Sequence, residues 1–542
     1  MNEIALIDIF IVAFTFSIVL IYGLYIALRS KETPEGYFLA GRSVGWIAIG
    51  MSIFAANISS EHFVGLAGYG ASRGLAVGNF EWLAIIFLML LGWFFAPIFL
   101  KSKIYTIPEF LGNRFNESTR IYLSSLSIIT YLLTKILVAL FAGGLILNKI
   151  MGLDMYTSAV IMILITGVYT IAGGLGAVIY TSVIQSFLLI AGALTLTLVG
   201  LNEIGGITAL HQKLPESYFN LVNSVSDSEI PWTGIVFGAP ILALWYWCSD
   251  QYIVQRVLSA KSIGDARNGS LLTGFLKILP VFILVFPGLI AAVIFPGIKG
   301  DQAYPALLAS GLLPAGLRGL VVAGLLAALM SSLASSFNSA ATLFTMDIYR
   351  IFKKDVSDRK LVLVGRLATT VMVILAILWI PLTKFISSYV YVFLQSIQAF
   401  ISPPIAAVFL LGIFWKRANS RGALCALFIG GAVGAFRLVL EFYTGSFLAD
   451  YPLWEWVLSI NYLHFAVFLF IISSLIMVMV SLLSERRTII KIRRYTFNWQ
   501  EIMAPTLTSS GGGTRIGLNK VALLFSILLL IILLGLWSRI FI

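Results

Sequence analysis

The sequence predicts an all-α integral membrane protein with about fourteen transmembrane helices, and three observations predict it. The chain is 59% hydrophobic and 11% charged over 542 residues, with mean hydropathy +0.98, a balance whose apolar surface needs lipid to cover it. Apolar runs recur at about the twenty-residue length that carries a helix across a ~30 Å hydrocarbon core. Basic residues gather in alternate loops between those runs, as the positive-inside rule requires of a multi-pass protein.

Taken in order, the runs fall at 7–28, 44–72, 78–100, 120–149, 155–173, 177–201, 232–255, 270–295, 318–350, 361–383, 387–414, 421–443, 457–484 and 518–540. Glu3 and Asp8, not a basic stretch, precede the first run, and no small-residue cleavage site follows it, so it is expected to stay as a helix. One set of loops holds Arg29/Lys31, Lys101/Lys103/Arg114, Arg256/Lys261/Arg267, Lys353/Lys354/Arg359/Lys360, Lys416/Arg417/Arg421 and Arg486/Arg487/Lys491/Arg493/Arg494, and that side is cytoplasmic. The opposite loops carry few basic residues, among them Arg73, Lys213, Lys299 and Lys384, and the longest, about 203–231, bears Glu216, Asp227 and Glu229. Both termini are therefore expected outside a plasma membrane. The net charge of +12 is spread over these short loops, which excludes nucleic acid as a partner and leaves the lipid bilayer. No obligatory protein partner is evident. The sequons at Asn57, Asn116 and Asn268 all fall away from the external face, which leans toward a bacterial inner membrane. Cys248 and Cys425 lie inside apolar runs, where they serve packing and not a disulfide framework.

Two runs carry too much polarity for lipid-facing helices. Asn57 and the stretch Ser59-Ser60-Glu61-His62 sit near the middle of the second run. They fit a helix that bonds its neighbours through polar side chains, but two ionisable groups side by side at membrane depth favour an unwound helix whose freed carbonyls bind an ion. The run from Ala328 to Asn338 is rich in serine, which often only bonds its own backbone. A hard cation such as sodium, however, wants about five or six oxygens, and the two runs together can supply them. No His/Glu metal motif or nucleophile–base pair is visible, so the chain is not read as an enzyme.

At these residues the sequence resembles the sodium/solute symporter family, and within it the sodium/glucose cotransporter branch. The likeness covers most of the chain: Tyr37-Phe38-Leu39-Ala40-Gly41-Arg42, the stretch from Asn57 to Glu81-Trp82, Leu244 to Gln251, Phe344 to Tyr349, and Pro403-Pro404 leading into Phe414-Trp415-Lys416-Arg417. The resemblance implies two inverted five-helix repeats with a broken first core helix, an amino-acid-transporter-like fold. On that basis 1–43 is an N-terminal peripheral helix and loop, 44–443 a ten-helix transport core with repeats at about 44–201 and 232–443, and 444–542 a set of peripheral C-terminal helices.

The resemblance also implies sodium-coupled symport of a hexose by alternating access. Carried over residue by residue, the sodium ligands are the carbonyls of Ala55, Ile58 and Ala328 and the hydroxyls of Ser331 and Ser332. The sugar site falls on Asn57, His62, Glu81, Tyr246, Trp247, Lys277 and Gln395, with Leu66, Phe80 and Tyr391 as the outer gate. Glu accepts from paired hydroxyls, Asn, Gln and Lys donate, and an aromatic ring covers the apolar sugar face. Glu61, Lys135 and Asp250 are ionisable groups in or near spans to which a structural role is assigned. Two departures stand out. Family members with a second sodium carry Asp where this chain has Ser182, and a hydroxyl where it has Ala334, which implies one sodium per sugar. Ala243 stands where relatives place a polar side chain against the sugar, so selectivity is expected to differ. Inositol, sialic acid or another polyhydroxylated solute is the alternative cargo, and a non-accumulating sugar sensor or sodium channel the alternative activity.

Overall fold

The computed structural model describes residues 5–59, 61–152, 154–298, 300–381, 390–442, 452–485, 495–497 and 515–540. Lys299, Lys384 and the basic stretch 486–494 lie outside the described residues. The described chain is helical almost throughout: α1 (Leu6–Arg29), the bent pair α2 (Trp46–Asn57) and α3 (Glu61–Arg73), α4 (Leu75–Ser102), α5 (Glu117–Phe141) and α6 (Tyr156–Ile204) form its first part. The apolar helix α7 (Gly234–Cys248) and its continuation α8 (Gln251–Leu258) come next. Then follow α9 (Ile263–Ile294), α10 (Leu317–Phe352), α11 (Asp358–Trp379), α12 (Tyr391–Phe414), α13 (Ser420–Glu441), α14 (Tyr462–Leu483) and α15 (Lys520–Ser538).

Eleven of these are long and apolar enough to cross a membrane, and α2/α3, bent by 61°, makes a twelfth. The 49 residues of α6 would reach roughly 74 Å if straight, more than twice a bilayer core. Gly174 breaks the helix with φ +56° and ψ −147°, and a Cβ there would meet the Tyr37 carbonyl at 2.3 Å. Only glycine suits both demands. With α6 taken as two crossings and α7/α8 as one, the described residues match the fourteen expected runs.

One feature differs from expectation. The run at 232–255 is not one helix, because Ser249 and Asp250 interrupt it. The stretch 232–443 holds six spans, as the apolar runs predict. The last of the six, α13, packs against α12 and α14.

Small residues let the core helices meet closely. Between α2 and α9, a Cβ on Gly269 would lie 2.6 Å from Ile49 and one on Gly50 would lie 2.8 Å from the Gly269 carbonyl. Polar contacts fix the flanking helices. The buried Asp8 of α1 accepts from the Gly316 and Gly319 N–H groups at 2.7 and 2.8 Å and from Arg318 Nε at 3.0 Å, an anion placed at the N-terminus of α10. In α4, Trp93 Nε1 donates to Ser526 of α15 at 2.9 Å.

Candidate functional site

The last helical bond of α2 runs from the Ile58 N–H to the Phe54 carbonyl, and Ile58 is extended. Carbonyls beyond Phe54 must therefore find partners outside the helix. α10 passes alongside with Ala328, Ser331 and Ser332 fully buried. Ser332 Oγ donates to the Ala56 carbonyl at 3.1 Å, and Tyr252 Oη of α8 donates to the same oxygen at 2.6 Å. Ser331 Oγ lies 2.9 Å from Ser182 Oγ of α6, which in turn donates to the Val178 carbonyl at 2.6 Å. Ser332 thus comes to the open end of α2, while Ser331, one position away on α10, is paired with α6. Ala56 and Tyr252 were missing from the expected set. Arg256 anchors this corner through Ser52 Oγ at 2.9 Å and through Ser335.

Beside the break lies a small cavity whose lining mixes charged, amide and aromatic side chains, the convergence of polar groups on apolar walls that marks small-molecule sites. Asn57, His62, Glu81, Tyr246, Trp247 and Gln395 all line it. Lys277 stands behind them, in direct contact with Glu81 and donating to Asn57 Oδ1 at 2.7 Å. Asn57 Nδ2 donates to Tyr246 Oη at 3.2 Å, and His62 Nε2 lies 3.5 Å from Glu81 Oε1. The Lys277 ammonium is 5.4 Å from the Trp247 ring centre. Acceptors, donors and aromatic faces therefore converge from α2, α3, α4, α7, α9 and α12.

Of the expected gate, Phe80 and Tyr391 line the cavity, with their rings edge to face at 6.0 Å. Tyr391 also meets His62 edge-on at 5.7 Å. Leu66 is buried on α3, outside that lining. Its neighbour Gly65 allows the approach of α3 to α12, since a Cβ there would sit 2.6 Å from Tyr391 Cβ. Ala243 lines the cavity, as its position in the sequence implied.

Glu61, Lys135 and Gln398 line the cavity too, and none was placed in the solute site from sequence. The signal that could have found the first two is an ionisable side chain at membrane depth, which defaults to function. Asp250 is not among the lining residues. It caps α8 through the Tyr252 N–H at 3.2 Å and takes the Tyr131 hydroxyl, the structural role assigned to it.

The sodium:solute symporter family matches residues 37–430. The human sodium/myo-inositol cotransporter is 41% identical over 539 residues, spanning 90% of this chain and 75% of the relative. Sodium/glucose cotransporter 1 of Oryctolagus cuniculus is 40% identical over 523 residues, spanning 88% of this chain and 79% of the relative. Among solved structures, the substrate-bound, outward-open state of a sodium-coupled sialic acid symporter matches with a TM-score of 0.76 at 25% identity, over 89% of this chain and 99% of that one. With its broken helix, its buried serines and these relatives, the chain belongs to the sodium:solute symporter family, as a multi-pass membrane protein that carries a solute with sodium and is not an enzyme.

Proposed function

We propose that the solute is a neutral, polyhydroxylated ring of hexose size, a hexose or a cyclic hexitol, and that one sodium accompanies each molecule. The observation that carries this is the charge balance of the cavity. Its two carboxylates, Glu81 and Glu61, each have an ammonium, Lys277 in direct contact and Lys135 at 3.8 Å. A site whose buried charges already compensate favours a neutral solute over an anion, which would need an unpaired cation. Asn57, His62 and Gln395 add uncharged donors and acceptors, and Tyr246 and Trp247 add apolar faces. The hexitol stands beside the hexose because a sodium/myo-inositol cotransporter and a sodium/glucose cotransporter are similar to this chain to nearly the same degree.

Sodium would bind at the carbonyls of Ala55, Ile58 and Ala328 and the hydroxyls of Ser331 and Ser332. There it ties the end of α2 to α10, which favours the state that accepts the solute, and the Phe80 and Tyr391 rings close over the cavity afterwards. One charge crossing ~100 mV contributes about 2.3 kcal/mol and a tenfold sodium gradient about 1.4 kcal/mol, enough for accumulation on the order of a few hundredfold. The single ion is supported by Ala334, which packs with Val19, Tyr169, Val178 and Met330 in an apolar cluster that offers a second cation no side-chain oxygen from that position. The basic loops put both termini on the external side, which accessibility of a tag at either end would test.

The deciding experiment is uptake of labelled glucose, galactose and myo-inositol into proteoliposomes, with sodium or potassium outside and the potential clamped. Sodium-dependent accumulation with one charge per solute is expected. Two charges per solute would refute the ion count, and uptake of none of the three would refute the cargo.

A further inference from the structure

The cavity holds a second charged pair that the carried-over solute site does not use. Glu61 of α3 and Lys135 of α5 both line it and are 2% and 6% exposed. Their nearest atoms, Lys135 Nζ and Glu61 Oε1, are 3.8 Å apart, beyond hydrogen-bonding distance. Lys277 and Glu81, by contrast, are in contact. The Lys135 ammonium is held over the rings of Tyr246 at 4.5 Å and Tyr252 at 5.2 Å, a cation–π seat that fixes it against the cavity.

His62 stands between the two carboxylates, with Nε2 3.5 Å from Glu81 and Nδ1 3.8 Å from Glu61. The Ser59 N–H is directed at Nδ1 at 3.4 Å. In the neutral ring Nδ1 therefore accepts, and Nε2 carries the hydrogen toward Glu81. Glu61 receives nothing from the imidazole in that tautomer. At this distance the buried carboxylate and ammonium keep most of their Coulombic attraction but make no hydrogen bond to each other, which leaves an acceptor and a donor available to a bridging group. A hydroxyl oxygen about 2.8 Å from both atoms fits the gap, because a hydroxyl accepts from the ammonium and donates to the carboxylate at once.

We propose that Glu61 and Lys135 form a second hydroxyl-binding subsite, on the far side of His62 from Glu81, which selects rings bearing hydroxyls on two opposite edges. This rests on the polyhydroxylated cargo proposed above. A solute then lies along His62, with one edge on the Glu81 and Lys277 pair and the other bridging Glu61 and Lys135. The subsite contributes selectivity, while sodium binds elsewhere on α2 and α10.

The test measures KM and kcat for sodium-driven uptake of myo-inositol, glucose and their monodeoxy analogues by the wild type and Glu61→Gln, with melting in detergent confirming that the isosteric variant folds. Glu61→Gln should raise KM for the preferred solute about tenfold or more, leave sodium half-saturation unchanged, and abolish the wild-type penalty for the one deoxy analogue lacking the bridging hydroxyl. Solute-induced thermal stabilisation of the variant should weaken in parallel, which reads binding without transport. If the wild type transports a solute but Glu61→Gln keeps KM within twofold, or lowers kcat equally for every solute, the cargo stands and the subsite is wrong. Absence of uptake of every solute by the wild type overturns the cargo, and the subsite with it.

Discussion

Two interruptions among the described helices, between α7 and α8 and between α2 and α3, settle their loose backbone groups in opposite ways. The break between α7 and α8 is closed mainly from within. Ser249 Oγ donates to the Trp245 carbonyl at 2.9 Å, and Asp250 supplies the N-cap of α8. The break between α2 and α3 depends in part on other helices: Tyr252 and Ser332 serve the Ala56 carbonyl, while the Ser59 N–H turns to the imidazole of His62 three positions on. Backbone exposed at membrane depth persists only where protein or a cavity satisfies it. A gap fixed by its own carboxylate is a structural joint, whereas one met by hydroxyls from separate helices can take an ion between them. Tyr252 joins the two breaks, since its N–H belongs to the α8 cap and its hydroxyl reaches α2.

That contrast can be broken at either end. The largest effect is expected beside the open break, where Glu81→Ala strips the carboxylate from a buried Lys277. Uptake should fall more than about a hundredfold, and Gln395→Ala should likewise abolish it, with both proteins still giving a monodisperse peak on size-exclusion chromatography. Normal uptake in both would remove the cavity from the pathway. At the closed break, Asp250→Ala should cost about 2–4 kcal/mol of stability through the lost cap and the stranded Tyr131 hydroxyl, measured as a lower melting temperature in detergent. An unchanged melting temperature with altered sodium dependence would reverse the roles assigned to the two breaks.

Smaller effects sharpen the division. Ser332→Ala should leave melting nearly unchanged but raise the sodium concentration for half-maximal uptake about tenfold, as expected for one lost oxygen ligand worth roughly 1.4 kcal/mol. Tyr252→Phe removes only the hydroxyl that steadies the Ala56 carbonyl, so a shift of a few fold in the same quantity, about 1 kcal/mol, is expected. If Tyr252→Phe exceeded Ser332→Ala, Tyr252 and not α10 would govern the ion end of α2.

Much of this was legible along the chain. The Asn57 to His62 stretch announced the open break because five polar residues within six positions, inside an apolar run, are expensive in lipid. Separate runs at 155–173 and 177–201 anticipated the turn at Gly174. The closed break was not legible, because Trp245-Tyr246-Trp247-Cys248 continues an apolar run up to Ser249 and a single Asp after it suits a loop as well as an internal cap. Neither was the place of Ala56, whose side chain carries no chemistry and whose carbonyl matters only where Tyr252 and Ser332 meet it.

The sequence by itself determined that this is a multi-pass helical membrane protein, where one helix fails, and, through its resemblance, the residues expected to meet sodium and solute. Hydropathy and local polarity accumulate over neighbouring positions, so they can be read in order. Only the tertiary structure decided that Lys277 stands behind Glu81, that Leu66 lies outside the cavity lining, and that Glu61 faces Lys135, seventy-four positions away, across a gap of 3.8 Å. Such pairings follow from helices packing through small residues at fixed distances, and the strength of a buried charge depends on those distances, which no local pattern records.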